Sequence, residues 1–452
     1  MPVFALFKDS LSLVTTALLI LCGGFFCVRL RAFVVLHPIR MLRLVLEKGH
    51  AKKSLRAFTL ALAGTLGVGN IAGVAIAISF GGAGALFWMW VCGIFAMFLK
   101  YAEVSLALED KARGGDGFGY IRRTFGEKRA PLFFFAVLLL LLSFSMGAMI
   151  QSNAIASASA SVFPISRVFV GVLLFLATFG VIFGGTKRIS SVTFRLVPLA
   201  SVLYICACVC ILCMRFDALG KVFASIFASA FAYKAGAFGV LGFLFSRAFR
   251  QGGMCGLLSN EAGCGTAPLA HATAETSPAR QGVWGVLEVF VDTIILCTLT
   301  GLVLLVSIEE IPFGVSGVDA VSFVFVSFFG RAGGMLLFFC VCLFAFATVL
   351  CWSFYGVRAL SLFSKKETSR KRYLLAFCLC VGLGALFTPS FVFAMTDIIL
   401  SLMTVLHIWV LFSESETVCA ISQREGLISH SPKRADAHKV SPSPSKKPPA
   451  LR

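Results

Sequence analysis

The segment that decides the fold is Gly64–Gly73, GTLGVGNIAG, in which four glycines and one asparagine interrupt an apolar run that carries no charge. A membrane helix interrupted there leaves backbone amides and carbonyls without helical partners at bilayer depth. Such groups are tolerated only where they line a cavity or a ligand. The segment therefore predicts a discontinuous membrane helix of the kind that binds an amino acid and a cation in secondary transporters.

The composition predicts that nearly the whole chain is embedded in a membrane. It is 58% hydrophobic and only 13% charged, with 47 Phe in 452 residues, whereas soluble domains average about 25% charged residues. The formal net charge of +19 does not indicate nucleic acid, because the basic residues form short clusters between apolar runs. The 16 cysteines lie mostly within apolar runs and are expected to be buried thiols.

Apolar runs of roughly 18 to 25 residues predict eleven membrane helices. They lie near 10–32, 57–80, 84–108, 132–160, 166–184, 194–214, weakly within 222–270, and near 281–307, 334–361, 372–388 and 390–413.

The distribution of basic residues predicts the orientation in the cell membrane. Lys and Arg collect in the loops after the first, third, fifth and ninth spans, whereas the loop after the eighth contains Glu309, Glu310 and Asp319. Short loops rich in Lys and Arg face the cytoplasm. The N-terminus is therefore expected outside and the C-terminus inside.

The helix count predicts an internal symmetry. An extra N-terminal helix, 1–34, precedes ten helices that divide into 56–214 and 222–413. Five helices per half give the halves opposite orientations, which is the inverted-repeat plan of many secondary transporters. The remainder, 422–452, is rich in Pro, Ser and Lys and is predicted to be a disordered basic tail that touches anionic lipid.

The repeat predicts a second broken helix at the start of the second half. The segment Gly252–Gly265, GGMCGLLSNEAGCG, matches that expectation. An earlier break at Gly236, Gly239 and Gly242 is the alternative. Either break is expected to meet the first near the bilayer midplane.

The first break supplies candidate ligands for an anion. Gly67, Val68 and Gly69 would present backbone N–H groups at a half-helix N-terminus, which favours a substrate carboxylate. Asn70 either offers its amide oxygen to substrate or cation, or caps the second half-helix.

Polar residues on two further helices are candidates for the same site. Gln151 stands above Ser143 and Gly147 at four-residue spacing, so a small polar stripe is expected to face the bundle interior. Thr348 and Trp352 lie one turn apart on a later helix. Thr348 would supply a hydroxyl ligand to Na⁺, and Trp352 a wall against a small side chain or simply a packing contact.

Carbonyl oxygens complete the predicted cation site. Ala63 and Leu66 precede the first break, where their carbonyls lose helical partners and suit a hard cation. No organic cofactor is expected.

Intramembrane acids are functional candidates because burying them is costly. Glu103, Glu261 and Asp292 belong to this group. Glu261 is predicted to be a gate, a proton site, or an ion-pair partner of Arg247 or Arg250.

Several motifs resemble one family. In chain order they are Gly67–Val74, Gly81–Trp90, Lys100–Glu103, Ser259–Gly263 and Ala267–His271. They are similar, over about residues 40–362, to the alanine or glycine:cation symporter family, the sodium:alanine symporters.

The resemblance implies a fold and an activity. The family resembles the bacterial leucine transporter and the amino acid–polyamine–cation superfamily, so sodium- or proton-coupled uptake of alanine or glycine by alternating access is expected. The resemblance also implies that Gln151 and the residues Leu258, Ser259 and Asn260 contact the substrate, and that Thr348 belongs to the superfamily's shared sodium site.

The sequence departs from the family pattern at four positions. Val68 replaces the usual Thr, Leu258 a Phe, Ala347 a second Thr beside Thr348, and Val357 a Glu. One hydroxyl fewer weakens the expected sodium site, and the lost aromatic widens the expected pocket.

The sequence thus predicts a sodium-coupled symporter of alanine or glycine, acting as a monomer in contact with membrane lipid. Two alternatives stay open: a proton-coupled symporter in which Glu261 titrates, and an amino acid receptor that does not transport. A channel is disfavoured because the polar groups do not form a continuous pore lining. An enzyme is disfavoured because no nucleophile–base pair or metal cluster of recognisable spacing occurs.

Overall fold

The computed structural model describes residues 2–46, 51–115, 117–126, 129–231 and 247–428. Within these ranges the chain forms helices joined by short loops, and no strand occurs among them. A bilayer offers no water to backbone groups, and α-helices satisfy their amides and carbonyls internally. The all-α class predicted from composition is confirmed.

The first half of the chain begins with a long helix and a pair of short ones before the broken helix. The helices are α1 (Pro2–Arg29), α2 (Phe33–Leu36), α3 (Pro38–Leu46), α4 (Ala51–Thr65), α5 (Ala72–Gly81), α6 (Gly84–Ala112) and α7 (Gly119–Phe125). Next come α8 (Arg129–Leu142), a π-helical segment (Ser143–Ile150), α9 (Gln151–Ala160), α10 (Arg167–Ile182), α11 (Gly185–Met214) and α12 (Leu219–Ala230).

The second half contains another broken helix and another π-helical segment. Its described helices are α13 (Arg247–Asn260), α14 (Ala267–His271), α15 (Pro278–Val289), the π segment (Phe290–Cys297), α16 (Thr298–Leu305), α17 (Val318–Leu360), α18 (Glu367–Gly384), α19 (Pro389–Ser413) and α20 (Ser415–Arg424). Helix α17 is kinked at Gly330, whose φ is 59°.

Several helices are long and apolar enough to cross a membrane. Among the described residues there are seven, and the bent pair α4–α5 would add an eighth. The protein is therefore a multi-pass membrane protein. The count of eleven spans and the division into inverted halves remain predictions. Of the predicted tail, only 422–428 are described, and the rest lies outside the described residues.

The first break lies where the glycine-rich segment predicts it. Helix α4 ends at Thr65, one turn of 3₁₀ helix covers Val68–Asn70, and α5 begins at Ala72. The two halves of this helix are bent by 60°. Four glycines and Asn70 do not continue a helix well, since glycine favours non-helical backbone.

The second break is shorter than predicted. Helix α13 continues to Asn260, and the break covers 261–266, where Glu261, Gly263 and Gly265 have φ values of 53°, 80° and 85°. The earlier alternative at Gly236, Gly239 and Gly242 lies outside the described residues.

The glycines at the start of the predicted second break are helix-packing residues and do not interrupt the helix. A Cβ added to Gly252 would collide with the Ala85 carbonyl, and one added to Gly253 would collide with Thr16. Both glycines lie within helix α13. Because they have no side chain, α13 can approach α6 and α1 closely. The prediction was wrong for this part of the segment, because the sequence does not distinguish a packing glycine from a breaking one.

Long helices surround both breaks. Helix α6 packs on α13, α14 and α15, while α17 packs on α4, α9 and α11. Helix α5 packs on α13, so the interrupted ends of the two broken helices come together inside the bundle.

Candidate functional site

The backbone at the first break leaves the helical hydrogen-bond pattern. The Gly67 amide, which a continuous helix would give to the Ala63 carbonyl, donates instead to Thr65 O at 2.8 Å and to Asn70 Oδ1 at 3.2 Å. The Asn70 oxygen thus caps the 3₁₀ turn, whereas the predicted cap on the second half-helix is not formed, since α5 has no side-chain cap. The Ala63 carbonyl is left without its usual partner.

Gln151 reaches the first break from α9. Its Oε1 accepts a hydrogen bond from the Val68 amide at 3.2 Å, and its Nε2 donates to Met146 O at 3.1 Å. The side chain is buried. The Val68 amide therefore points at a side-chain oxygen in the bundle interior.

The stripe predicted beneath Gln151 faces α17. Ser143–Ile150 is a π-helical segment, and a Cβ added to Gly356 would lie 2.9 Å from Ser143 Oγ, so Ser143 faces this helix. The Ser143 hydroxyl lies 2.9 Å from Tyr373 Oη. A Cβ at Gly147 would collide with Trp352, so this glycine makes room for the indole.

Helix α17 contacts the first break through two side chains one turn apart. Thr348 Oγ1 lies 3.2 Å from Leu66 O and 3.0 Å from Phe344 O, and its single hydroxyl hydrogen can be donated to either carbonyl. Trp352 Nε1 donates to Gly64 O at 3.3 Å. The same-face placement predicted for Thr348 and Trp352 directs both donors at carbonyls of the interrupted helix.

Gly67 lies between Gln151 and Thr348. A Cβ at this position would be 2.8 Å from Thr348 Oγ1 and 3.0 Å from Gln151 Oε1. Contacts this short are strained, so only glycine fits without movement of the neighbours. We call the group of Gly67, Val68, Gln151, Thr348 and Trp352 the first-break site.

Asn70 joins a second polar group on the other side of the 3₁₀ turn. Its Nδ2 lies 2.8 Å from Ser259 Oγ and 2.7 Å from Asp292 Oδ1, and Ser259 Oγ donates to Asp292 Oδ2 at 2.7 Å. All three side chains are buried. We call them the Asn70–Asp292 cluster. It connects the first break to α13 and to the π segment after α15.

Two more predicted residues lie beside this cluster. A Cβ at Gly69 would be 3.3 Å from Ser259 Cα, so the first break is in close contact with the last turn of α13. Asn260 Nδ2 donates to Thr293 Oγ1 at 3.1 Å, and Asn260 Oδ1 accepts from the Ala262 amide at 3.0 Å. The Asn260 side chain therefore holds the second break against the π segment.

Asp292 contacts the first break, although it is not among the substrate or cation ligands predicted from the sequence. Its sequence signal is an acid within an apolar run, which marks it as a candidate without indicating its partner. The partner, Asn70, lies 222 positions away in the chain.

Leu258 lines a cavity. This cavity, of about 490 Å³, is also lined by Lys8, Gly73, Cys255 and Asp397. A second cavity, of about 300 Å³, reaches Val68 and Asn153, and the two share Ile76 and Phe393 as lining residues. Together they lead to the first break along α5.

On the side of the two breaks away from these cavities, polar contacts hold the loop that follows α14. Lys53 on α4 forms an ion pair with Glu275, in the loop after α14. Lys111 Nζ donates to Ala272 O at 2.6 Å and to Ala274 O at 2.9 Å. These contacts connect the loop after the second break to α4 and α6.

Glu261 faces different groups from those predicted. Arg250 pairs with Asp9 at 3.1 Å, whereas Glu261 Oε2 accepts from Thr266 Oγ1 at 2.6 Å. The proposed pairing with Arg250 was wrong, because α13 continues as a helix and carries Arg250 away from the break.

The donor atoms at the first break suit a hard cation. They are hydroxyl and carbonyl oxygens, the ligand type preferred by alkali and alkaline-earth ions. In the described part of the chain, no group of three or more His, Cys, Asp or Glu residues could hold a metal. Thr348 Oγ1 and the Leu66 carbonyl are two such oxygens, 3.2 Å apart.

A multi-pass helical bundle with two broken helices meeting at a buried polar centre, open to cavities on one side and tied on the other, defines a secondary transporter. The sodium:alanine symporter family model matches residues 3–424. The chain belongs to this family. It is a cation-coupled amino acid symporter, not an enzyme.

Relatives and a solved structure agree with this assignment. The sodium/alanine symporter AgcS of Methanococcus maripaludis is 36% identical over 403 residues, covering 84% of this chain and 87% of that protein. The probable sodium/glutamine symporter GlnT of Bacillus subtilis is 32% identical, covering 89% and 85%. The structure of MhsT in complex with L-phenylalanine has a TM-score of 0.53 at 18% identity, covering 79% of this chain and 87% of that one. The last likeness shows the leucine-transporter fold alone.

Proposed function

We propose that the protein imports alanine or glycine together with Na⁺. The observation that carries this proposal is the 3.2 Å hydrogen bond from the Val68 amide to Gln151 Oε1. It shows that a backbone donor at the broken helix points at an acceptor in the bundle interior. A substrate carboxylate is an acceptor of the same kind and is favoured at a half-helix N-terminus.

In this proposal the substrate carboxylate takes the place of Gln151 Oε1 on the Val68 amide, and Gln151 turns to contact it. The Gly67 amide donates to Thr65 O and Asn70 Oδ1 in the structure, and it joins Val68 and Gly69 in binding the carboxylate when those bonds are released. Trp352 forms a wall of the first-break site, and the Tyr355 ring packs on it with centroids 5.3 Å apart. Phe344, on the same helix, faces Gly67 and Val68. The five residues of the site carry no formal charge. A small neutral side chain is therefore favoured over a charged one, which would be left unpaired.

Na⁺ binds between the interrupted helix and α17. The ligands are Thr348 Oγ1 and the carbonyls of Leu66 and Ala63. Thr348 donates to Leu66 O in the structure, and rotation of its hydroxyl would present a lone pair to the ion instead. The buried carboxylate of Asp292 adds a negative charge next to the break, which favours a cation there.

The orientation predicted from the basic loops gives the transport direction. It places the two cavities along α5 outside and the Lys53–Glu275 pair inside. Substrate and Na⁺ enter past Val68, and movement of one half against the other closes the cavities. Release inside then requires the Lys53 and Lys111 contacts to break.

Uptake of radiolabelled alanine into proteoliposomes tests the proposal. We expect uptake with an inward Na⁺ gradient, none with a pH gradient alone, and loss in Thr348→Ala. The matched control is Thr178→Ala, a buried threonine on α10 outside the site. Uptake driven by a pH gradient without sodium would show that H⁺, and not Na⁺, is the coupling ion. Alanine binding without uptake would instead favour the receptor.

A further inference from the structure

A buried cluster of charged side chains lies beside the second break, apart from the first-break site. Lys100 Nζ on α6 lies 3.2 Å from Glu288 Oε1 and 3.8 Å from Glu103 Oε1. His271 Nε2 lies 2.8 Å from Glu288 Oε2. The exposed fraction of each of these side chains is 0 or 1%. We call them, with Glu261, the Lys100 cluster.

Glu103 and Glu261 each accept a hydrogen bond from a residue of the second break. Glu103 Oε2 accepts the Gly265 amide at 3.0 Å, and Glu261 Oε2 accepts the Thr266 hydroxyl. Glu103 Oε1 and Glu261 Oε1 are buried and have no hydrogen-bond partner within the described residues. Glu103 Oε1 still lies 3.8 Å from Lys100 Nζ, so Glu261 Oε1 is the one of these two oxygens with neither a hydrogen bond nor an ion pair within the described residues.

The cluster carries more negative than positive groups. Three carboxylates, Glu103, Glu261 and Glu288, face a single ammonium, so full ionisation would leave an excess of two negative charges. An uncompensated buried charge is strongly unfavourable, and such groups are neutralised instead. Protons on His271 and on the carboxyl groups are the available means. The Lys100 ammonium already occupies the place between the carboxylates that a metal cation would take.

Glu261 is the least compensated of the three acids. Glu288 contacts both Lys100 and His271, and Glu103 contacts Lys100 and the Gly265 amide. Glu261 has only the Thr266 hydroxyl, and no ion pair joins it to Lys100 within the described contacts. Lys100 attracts the Glu261 charge only from beyond ion-pair distance, and a proton on Glu261 Oε1 removes that charge.

We propose that Glu261 is a proton-binding site, and that its proton exchanges as the second break changes conformation. The role of this proton in transport rests on the proposed symport. The O–H bond forms at Oε1 and breaks again to release the proton to water. The site is separate from the Na⁺ ligands of the first break.

The position of Glu261 connects its proton to the substrate region. It follows Asn260 and Ser259 directly, and its φ of 53° is unusual for a residue with a side chain. Glu288 lies one helical turn before Asp292, which binds Ser259 and Asn70. Movement at the Asn70–Asp292 cluster therefore changes the surroundings of Glu261 through two helices.

The groups that act electrostatically on Glu261 come from several elements. They are Lys100 on α6, Cys264 in the break, Glu288 and Asp292 on α15 and the π segment, and Cys351 and Tyr355 on α17. His407 of α19 lies 3.7 Å from Glu103 and donates toward Gly263 O.

Infrared spectroscopy of the full-length protein tests the site without any substrate. A protonated carboxyl group has a C=O stretching band that carboxylates lack, and ¹³C-glutamate labelling shifts it. We expect this band in the wild-type protein, its loss in Glu261→Gln, and no change in Glu416→Gln, an exposed glutamate on α20. An unchanged band in Glu261→Gln would overturn the proposal.

A second variant keeps the test decisive if Glu261→Gln does not fold. Thr266→Val removes the hydroxyl that donates to Glu261 Oε2, so the frequency of the band should shift. A band at the wild-type frequency in Thr266→Val would overturn the assignment to Glu261.

Proton exchange on substrate binding tests the connection to transport. In weakly buffered detergent solution with a pH-sensitive dye, we expect alanine addition in Na⁺ to change the number of bound protons. The change should be absent in Glu261→Gln and retained in Glu416→Gln. Equal proton exchange in Glu261→Gln would contradict the inference. Failure of alanine to bind at all would contradict the proposed function, while the infrared result would still decide the proton site.

Discussion

Thr348 Oγ1 donates to Leu66 O at 3.2 Å, which joins α17 to the interrupted end of α4 through a single hydroxyl. This contact brings together two of the three residues proposed to hold Na⁺. A hydroxyl that serves as both donor and ligand is suited to a site that alternates between an empty and a filled state.

The hydroxyl at position 348 should determine sodium dependence. Thr348→Ser keeps the oxygen, and we expect uptake with a Na⁺ requirement within a few-fold of wild type. Thr348→Val has nearly the same shape without the oxygen, and we expect its half-maximal Na⁺ concentration to rise at least tenfold, equivalent to about 1.4 kcal/mol. Thr178→Val is the control. Normal sodium dependence in Thr348→Val would remove Thr348 from the site.

Gly67→Ala should abolish uptake. Its Cβ would lie 2.8 Å from Thr348 Oγ1 and 3.0 Å from Gln151 Oε1, so both polar side chains must move. Overpacking of this kind costs about 1–3 kcal/mol of stability. Gly180→Ala is the matched control, because a Cβ there meets no atom within 4 Å. Thermal unfolding and alanine uptake measured on both variants check the prediction, and uptake retained in Gly67→Ala would refute it.

The sequence allowed the first break to be predicted because glycine spacing and Asn70 disfavour a continuous helix locally. It did not allow the side-chain partners to be predicted in the same way. Four-residue spacing placed Ser143, Gly147 and Gln151 on one stripe, but it predicts neither the π-helical form of Ser143–Ile150 nor the residues of α17 that the stripe faces. The Asn70–Asp292 contact depends on tertiary packing, which local pattern does not encode.

Gln151→Glu should weaken substrate binding more than folding. The new carboxylate would face the Val68 amide and would repel the substrate carboxylate from the same place. We expect the KM for alanine to rise at least tenfold, with protein yield near that of wild type. The control is Gln423→Glu, the same chemical change on α20. Alanine affinity equal to that of wild type would show that the carboxylate binds elsewhere.

The Asn70–Asp292 cluster should behave as one energetic unit. Asn70 Nδ2 lies 2.7 Å from Asp292 Oδ1, so removing either partner leaves a buried polar group without its hydrogen bond. In a double-mutant cycle of Asn70→Ala and Asp292→Ala, we expect the effects on thermal stability to be non-additive by about 0.5–3 kcal/mol. Additive effects would mean that the two side chains do not depend on each other.

Lys111 should control opening on the side opposite the cavities. Its ammonium donates to Ala272 O and Ala274 O, at 2.6 and 2.9 Å, and so holds the loop that follows α14. The Lys53–Glu275 pair contacts the same loop, but both side chains are more than half exposed, so its contribution is expected to be small. Lys111→Met should therefore raise hydrogen exchange in residues 267–277 more than Lys53→Met does.

Hydrogen–deuterium exchange with mass spectrometry in detergent makes this comparison directly. Hydrogen bonds to charged groups contribute about 1.5–3 kcal/mol each, so loss of the Lys111 pair corresponds to at least a tenfold change in local opening. Lys365→Met, in the loop before α18, provides the control and should leave exchange in 267–277 unchanged. Because release of substrate requires the same loop to move, Lys111→Met should also alter the ratio of uptake to efflux. Equal exchange in Lys111→Met and wild type would show that the loop is held by other contacts.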